Sequence, residues 1–239
     1  MKKKMLTAAL LTVAAITLVV TTVFITVAYL TSKAEVTNTF TVGNITLSLY
    51  ESDVDADGQP IADNSQVHGN MKDSIGNQYH LIPGKTYAKD PTIYLDAKSD
   101  NSYLFVKVQN DIRNIQETDG SALTMQQQME ANGWVLYKTF KDGSIIYVYG
   151  TGNAETSITP TWVNGNTPGN DEHATPGTFD TFSTFTVDND ADVSGYTNAK
   201  VVVKAFAIQR TQFEGNVNAA WDALMKAFPE EADKGTVTP

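Results

Sequence analysis

Apolar and polar residues alternate between residues 40 and 49. Phe40 and Val42 are followed by Ile45, Leu47 and Leu49, with Thr46 and Ser48 between the last three. A period of two marks a strand with one buried face. Six further segments are dense in β-branched and aromatic residues and predict strands: 92–95, 102–108, 134–140, 144–150, 179–187 and 199–209. Lys141-Asp142-Gly143 joins two of them as a hairpin, with Asp-Gly expected to supply the positive φ angles.

Two stretches change period. Thr124 and Gln127 have capping-box spacing, Met125 and Met129 fall on one helical face, and Gly133 supplies a stop. Further on, Val217, Trp221, Leu224 and Phe228 recur at helical spacing ahead of Pro229. Both stripes predict helices packed on a sheet. Residues 53–85 and 150–178 are polar and rich in turn formers, and read as long loop insertions. The economical architecture is mainly β: one antiparallel β-sandwich domain over 29–239 with two or more peripheral helices and long loops.

Ahead of the alternation lies a segment of another kind. Lys2, Lys3 and Lys4 precede a run without charge from residue 5 to residue 30. That is long enough to span a bilayer as a helix, and it also fits a long cleavable signal with small residues at Thr26 and Ala28, or at Ser32 and Ala34. Either way the body is expected outside the cytoplasm.

Composition narrows the partners. The net charge is −10, which repels phosphate backbones, so nucleic acid is not expected as a partner. The chain has no cysteine, which removes disulfides, Cys-ligated zinc and thiol nucleophiles together. His68, His80 and His173 are scattered, and no HExxH, GxSxG, P-loop or GxGxxG pattern occurs. No catalytic, cofactor or metal residue is therefore assigned, and no cofactor is expected. Asp53, Asp55, Asp57 and Gly58 match positions 1, 3, 5 and 6 of a calcium loop, but Asn64 stands where the bidentate Glu belongs and no helix flanks it. A polar Asp-Gly turn is the better reading. Asp188, Asp190 and Asp192 repeat the alternation without the glycine.

Four pieces together carry a likeness: "AYLTSKAEVTNTFTVGNITLSLYES" behind the long leader, "LIPGKTYAKDPTIYL", "MEANGW", and "VVVKAFAIQ" with "AAWDAL". In this order they resemble the TasA/camelysin group of Gram-positive exported proteins. The resemblance implies a jelly-roll-like sandwich and a leader, residues 1–28, removed by the signal peptidase SipW between Ala28 and Tyr29. It also implies a secreted subunit that polymerises into biofilm-matrix fibres, with an accessory matrix protein as a possible further partner.

In such fibres the arm 29–39 of one copy adds a strand to the next, with Leu30, Val36 and Phe40 as its apolar anchors. Each anchor contributes roughly 1.5–3 kcal/mol on burial, against about 1–2 kcal/mol per residue for ordering the arm. The groove that receives it therefore has to be preformed. Camelysin is described as a surface metallopeptidase, which makes a peptidase the alternative reading, although no residue here matches a zinc-peptidase motif. A third reading is a membrane-anchored binding domain displaying loop 150–178.

Overall fold

The computed structural model describes residues 31–35, 38–42, 45–55, 57–61, 77–96, 99–118, 120, 122–152, 159–160 and 177–233. Its strands are β1 (Thr31–Glu35), β2 (Asn38–Val42), β3 (Ile45–Tyr50), β4 (Thr86–Ala88), β5 (Thr92–Leu95) and β6 (Ser102–Asn110), then β7 (Trp134–Thr139), β8 (Ile145–Thr151), β9 (Thr159–Pro160), β10 (Gly177–Asp180), β11 (Thr184–Thr186) and β12 (Val201–Gln209). Two helices, α1 (Met125–Ala131) and α2 (Val217–Ala227), complete the described elements together with short 3-10 turns. The chain is mainly β, and its sheets are antiparallel.

One continuous path runs β10-β5-β3-β2-β1-β12-β6-β8-β7, with β9 on β8; β4 and β11 form a separate pair. The path folds on itself. Ile45, Leu47 and Leu49 of β3 with Ile93 and Leu95 of β5 pack against Leu104, Val106, Val203, Ala205 and Ala207 of β6 and β12. The opposite face of β6 and β12 carries Tyr103, Phe105, Phe206 and Ile208, and α2 covers it with Val217, Trp221 and Leu224. Three layers result: the β3 half, the β6–β12 half and α2.

Layering explains the two kinds of strand pattern. Strand β3 alternates buried and half-buried residues because only one face meets the core. Strands β6 and β12 are covered on both faces, so their sequences are near-continuous apolar runs. Trp221 anchors the helix layer, its ring within 5.3–6.2 Å of Phe105, Tyr137, Phe140 and Phe206. Thr124 and Gln127 form the expected reciprocal capping box, and Met125 and Met129 are both buried.

Three expectations are corrected. The alternation 40–49 is not one strand but two, β2 and β3, which pair antiparallel with Phe40 opposite Leu47. In the 140–144 hairpin only Gly143 has positive φ; Asp142 instead accepts the Ser144 N–H with its carboxylate. The Gly143 N–H donates to Phe140 O and the Phe140 N–H to Ser144 O, a type I turn closed by a left-handed glycine. The segment 179–187 is not one strand. It breaks at Thr181–Ser183, and β10 joins β5 while β11 joins β4.

Side chains of the α1 region satisfy that break. Gln128 donates to Leu123 O and Thr184 O and accepts from the Ser183 N–H, while Asn132 donates to Thr181 O. Trp134 donates its indole N–H to Asp180 O. Buried backbone groups need partners, and here side-chain amides replace a neighbouring strand.

Candidate assembly interface

The sequence reading treats 29–39 as a free arm, whereas β1 and β2 sit in the chain's own sheet. Strand β1 pairs with β12 over five positions, from Thr31 opposite Ile208 to Glu35 opposite Lys204. It also meets β2 at Ala34–Thr39 and Glu35–Asn38. Strand β2 in turn pairs with β3, placing Phe40 opposite Leu47 and Val42 opposite Ile45. The N-terminal strands are thus the seam between the two halves of the folded path. Of the anchors, Leu30 and Val36 lie outside the described residues, as do Ala28 and Tyr29 at the expected cleavage point. Phe40 is placed by its backbone alone.

The seat is built by β12. Ala205 and Ala207 are buried within the sandwich, and they stand opposite Ala34 and Ser32 in the register. On its other side β12 pairs with β6 along nine positions, so the edge offered to β1 is held straight by a long, doubly covered ladder. Without β1 that edge would present unpaired N–H and C=O groups, a template for another strand.

Charged groups brace the two ends of the sandwich. Lys89 meets Glu51 at 2.8 Å with both side chains buried. Asn77 Nδ2 donates to Glu51 Oε1 at 3.1 Å and to Ser52 O at 2.7 Å, and Tyr79 O–H donates to Ala88 O. Burial, then the Glu51 charge, pushes the Tyr79 phenol well above its ordinary value. This network ties the stretch 77–79 to the end of β3.

At the other end, Lys107 and Lys204 converge on buried Glu231 at 3.6 Å and 2.9 Å. Nothing was assigned to these lysines from sequence, although a Lys inside the runs 102–108 and 201–209 was a signal for a buried acid.

The acidic turn has a structural use. Asp55 accepts the backbone N–H groups of Asp57 and Gln59, and Asp57 pairs with Lys85 at 2.9 Å. A hydrogen bond from Lys85 and its charge hold the Asp57 carboxyl below its ordinary range. Gly58 has φ +71°, and a Cβ there would lie 2.3 Å from the Tyr87 ring. Asp188 and Asp192 likewise accept nearby backbone N–H groups.

Among the described residues no group of three or more His, Asp or Glu could hold a metal ion. His80 is exposed, and His68 and His173 lie outside the described residues. Among the same residues no helix is long and apolar enough to cross a membrane; residues 1–30 are outside them.

Comparison with protein-family profiles, with curated proteins and with solved structures finds no match for this chain.

Proposed function

We propose that this chain is an exported structural subunit that polymerises into extracellular fibres by exchanging its N-terminal strand between copies. The reading rests on one observation: β1 is the first described strand, short and seated on the edge of β12 at the seam of the sheet. The same register formed with β12 of a second copy would keep the β1–β12 main-chain hydrogen bonds, each contributing about 1 kcal/mol, and give up the shorter pairing of β1 with β2. A copy that gives its strand forward and accepts one from behind makes a heterologous contact, which propagates as a filament. The resemblance to the TasA/camelysin group supports the same reading, including a jelly-roll-like sandwich and leader removal after Ala28 by SipW.

Exchange has to compete with closure within one chain. A short tether gives the cis strand an effective concentration on the order of mM, so trans pairing wins only when copies are crowded or nucleated. Retention of the uncleaved leader would hold β1 at the membrane and delay that competition.

The test uses the absence of native cysteine. Ala34 stands opposite Ala205, and opposed residues on antiparallel strands lie about 4.5–5.5 Å apart at Cα, within disulfide range. Protein carrying Ala34→Cys is mixed with protein carrying Ala205→Cys under conditions that yield fibres in negative-stain micrographs. Disulfide-linked dimers on a non-reducing gel are the expected result. Fibres without that cross-link would sink strand exchange, and a solution that stays monomeric when concentrated would sink the fibre reading itself.

A further inference from the structure

A cleft opens between α1, the end of β6, the turn 113–118 and β8, with a volume of about 140 Å³. Val108, Met125, Met129, Ile145 and Tyr147 form the apolar part of its lining, and Asn110, Thr118, Thr124 and Gln126 add neutral polar groups. Gln116 lines it, only 5% exposed. The Gln116 Oε1 accepts the Met125 N–H at 3.4 Å, but its Nε2 is buried without a partner among the described residues. A buried amide N–H left unpaired costs about 1–3 kcal/mol, so a donor of this kind marks a place where an acceptor belongs.

Two other groups around the cleft, Tyr147 and Arg113, fit such an acceptor. Tyr147 is 2% exposed, and its hydroxyl makes no hydrogen bond among the described residues. Arg113 stands at the mouth. One guanidinium nitrogen donates to Gly143 O at 2.9 Å, which leaves its remaining donors for a ligand. Among the described residues, Arg113 is the one charged residue lining the cleft and no acid does so, in a chain whose net charge is −10. The amide, the phenol and the guanidinium are all hydrogen-bond donors, and one of them is cationic. A cavity of roughly 150 Å³ accepts a benzene-sized guest.

We infer that this cleft binds a small organic acid: a carboxylate, held by Gln116, Tyr147 and Arg113, on an apolar body of about one six-membered ring. The site is independent of strand exchange. It lies on the side of the sandwich built by α1 and β8, away from β1. The apolar body takes the place between Met125, Met129 and Ile145, where water would gain little, and the carboxylate supplies the acceptor that Gln116 Nε2 lacks. Arg113 adds the charge that separates an acid from a neutral molecule of the same shape.

The experiment titrates sodium benzoate, and benzyl alcohol as its neutral match, into ¹⁵N-labelled protein purified from cells expressing the whole chain. The readouts are the Gln116 side-chain amide and the Tyr147 backbone amide. Saturable shifts with benzoate, and binding of benzyl alcohol at least tenfold weaker, are the expected result. Arg113→Ala changes an exposed residue and should weaken benzoate about tenfold with the fold intact. Gln116→Leu should abolish binding; because Gln116 Oε1 also holds Met125 N–H, its spectrum is checked for loss of α1. No saturable shift, equal binding of the alcohol, or undiminished binding by Arg113→Ala each overturns the assignment and leaves a water-filled cleft.

Discussion

Lys107 on β6 and Lys204 on β12 stand directly opposite each other in the register, and both reach the carboxylate of Glu231. Like charges directly opposed on neighbouring strands repel. Glu231, from the 3-10 turn that follows α2, resolves the repulsion and fastens the end of the helix layer to the sheet. Lys107 also lies over the Phe140 ring at 5.0 Å.

Removing Glu231 should therefore cost more than one ion pair at the surface. Glu231→Gln leaves two lysines facing each other over a neutral amide, and about 3 kcal/mol of stability should be lost. Adding Lys107→Met to Glu231→Gln should recover part of the loss. Urea unfolding of the two single variants and the pair measures this, and strict additivity would refute the coupling.

Gly58 predicts a second loss. Gly58→Ala places a methyl group against the Tyr87 ring at a φ that L-residues rarely adopt. A destabilisation of about 2–4 kcal/mol is expected from overpacking plus backbone strain. Asp57→Asn, which loses only an exposed pair with Lys85, should change the melting temperature little.

The Gln128 amide gives a third. Gln128→Leu keeps the volume near constant but strips the partners of Ser183 N–H and Thr184 O. About 3 kcal/mol should be lost, with accelerated hydrogen exchange at residues 183–184 while the β6–β12 ladder stays protected. Uniform exchange across the sheet would show that the break does not depend on Gln128.

Alkaline pH should act through buried phenols. Burial pushes Tyr147 up to about 12, with Arg113 opposing and Glu130 adding to the shift. The unfolded phenol ionises near 10, before the folded one. Stability from this group is thus whole below pH 10 and declines between pH 10 and pH 12. Near pH 11 the loss is about 1 kcal/mol for Tyr147, and Tyr79 shifts in the same direction. Melting curves at about pH 9 and about pH 11 check it. Tyr147→Phe should shrink the difference, and an unchanged difference would assign the loss elsewhere.

Elements whose neighbours lie close in sequence were legible before any coordinates. The cap at Thr124, the stripe from Val217 to Phe228 and the alternation of β3 each depend on residues within a few positions. What was illegible depends on distant partners. The run 179–187 has the composition of one strand, and side chains far earlier in the chain, Gln128 and Asn132, turn it into two. The Asp-Gly hairpin was placed correctly, but which residue takes positive φ follows from the two hydrogen bonds of Phe140. The lysines in β6 and β12 were visible as anomalies, while the acid that answers them lies beyond α2. For the candidate interface, the strand character of residues 40–42 was readable, but their turn back onto β3 and the edge on which β1 rests were not.

The pairing of Thr31 with Ile208 has a temporal consequence. Chains are made from the N-terminus, so β1 exists long before its counterpart near the opposite end, and the sandwich cannot shut until β12 arrives. Contacts this remote in sequence form slowly. Throughout that wait the edge of the first strand that faces β12 is uncommitted, and the earliest β12 it encounters can belong to an older neighbour that is still open. Under the proposed strand exchange, crowding during folding would then favour linked copies, and dilution would favour closed ones.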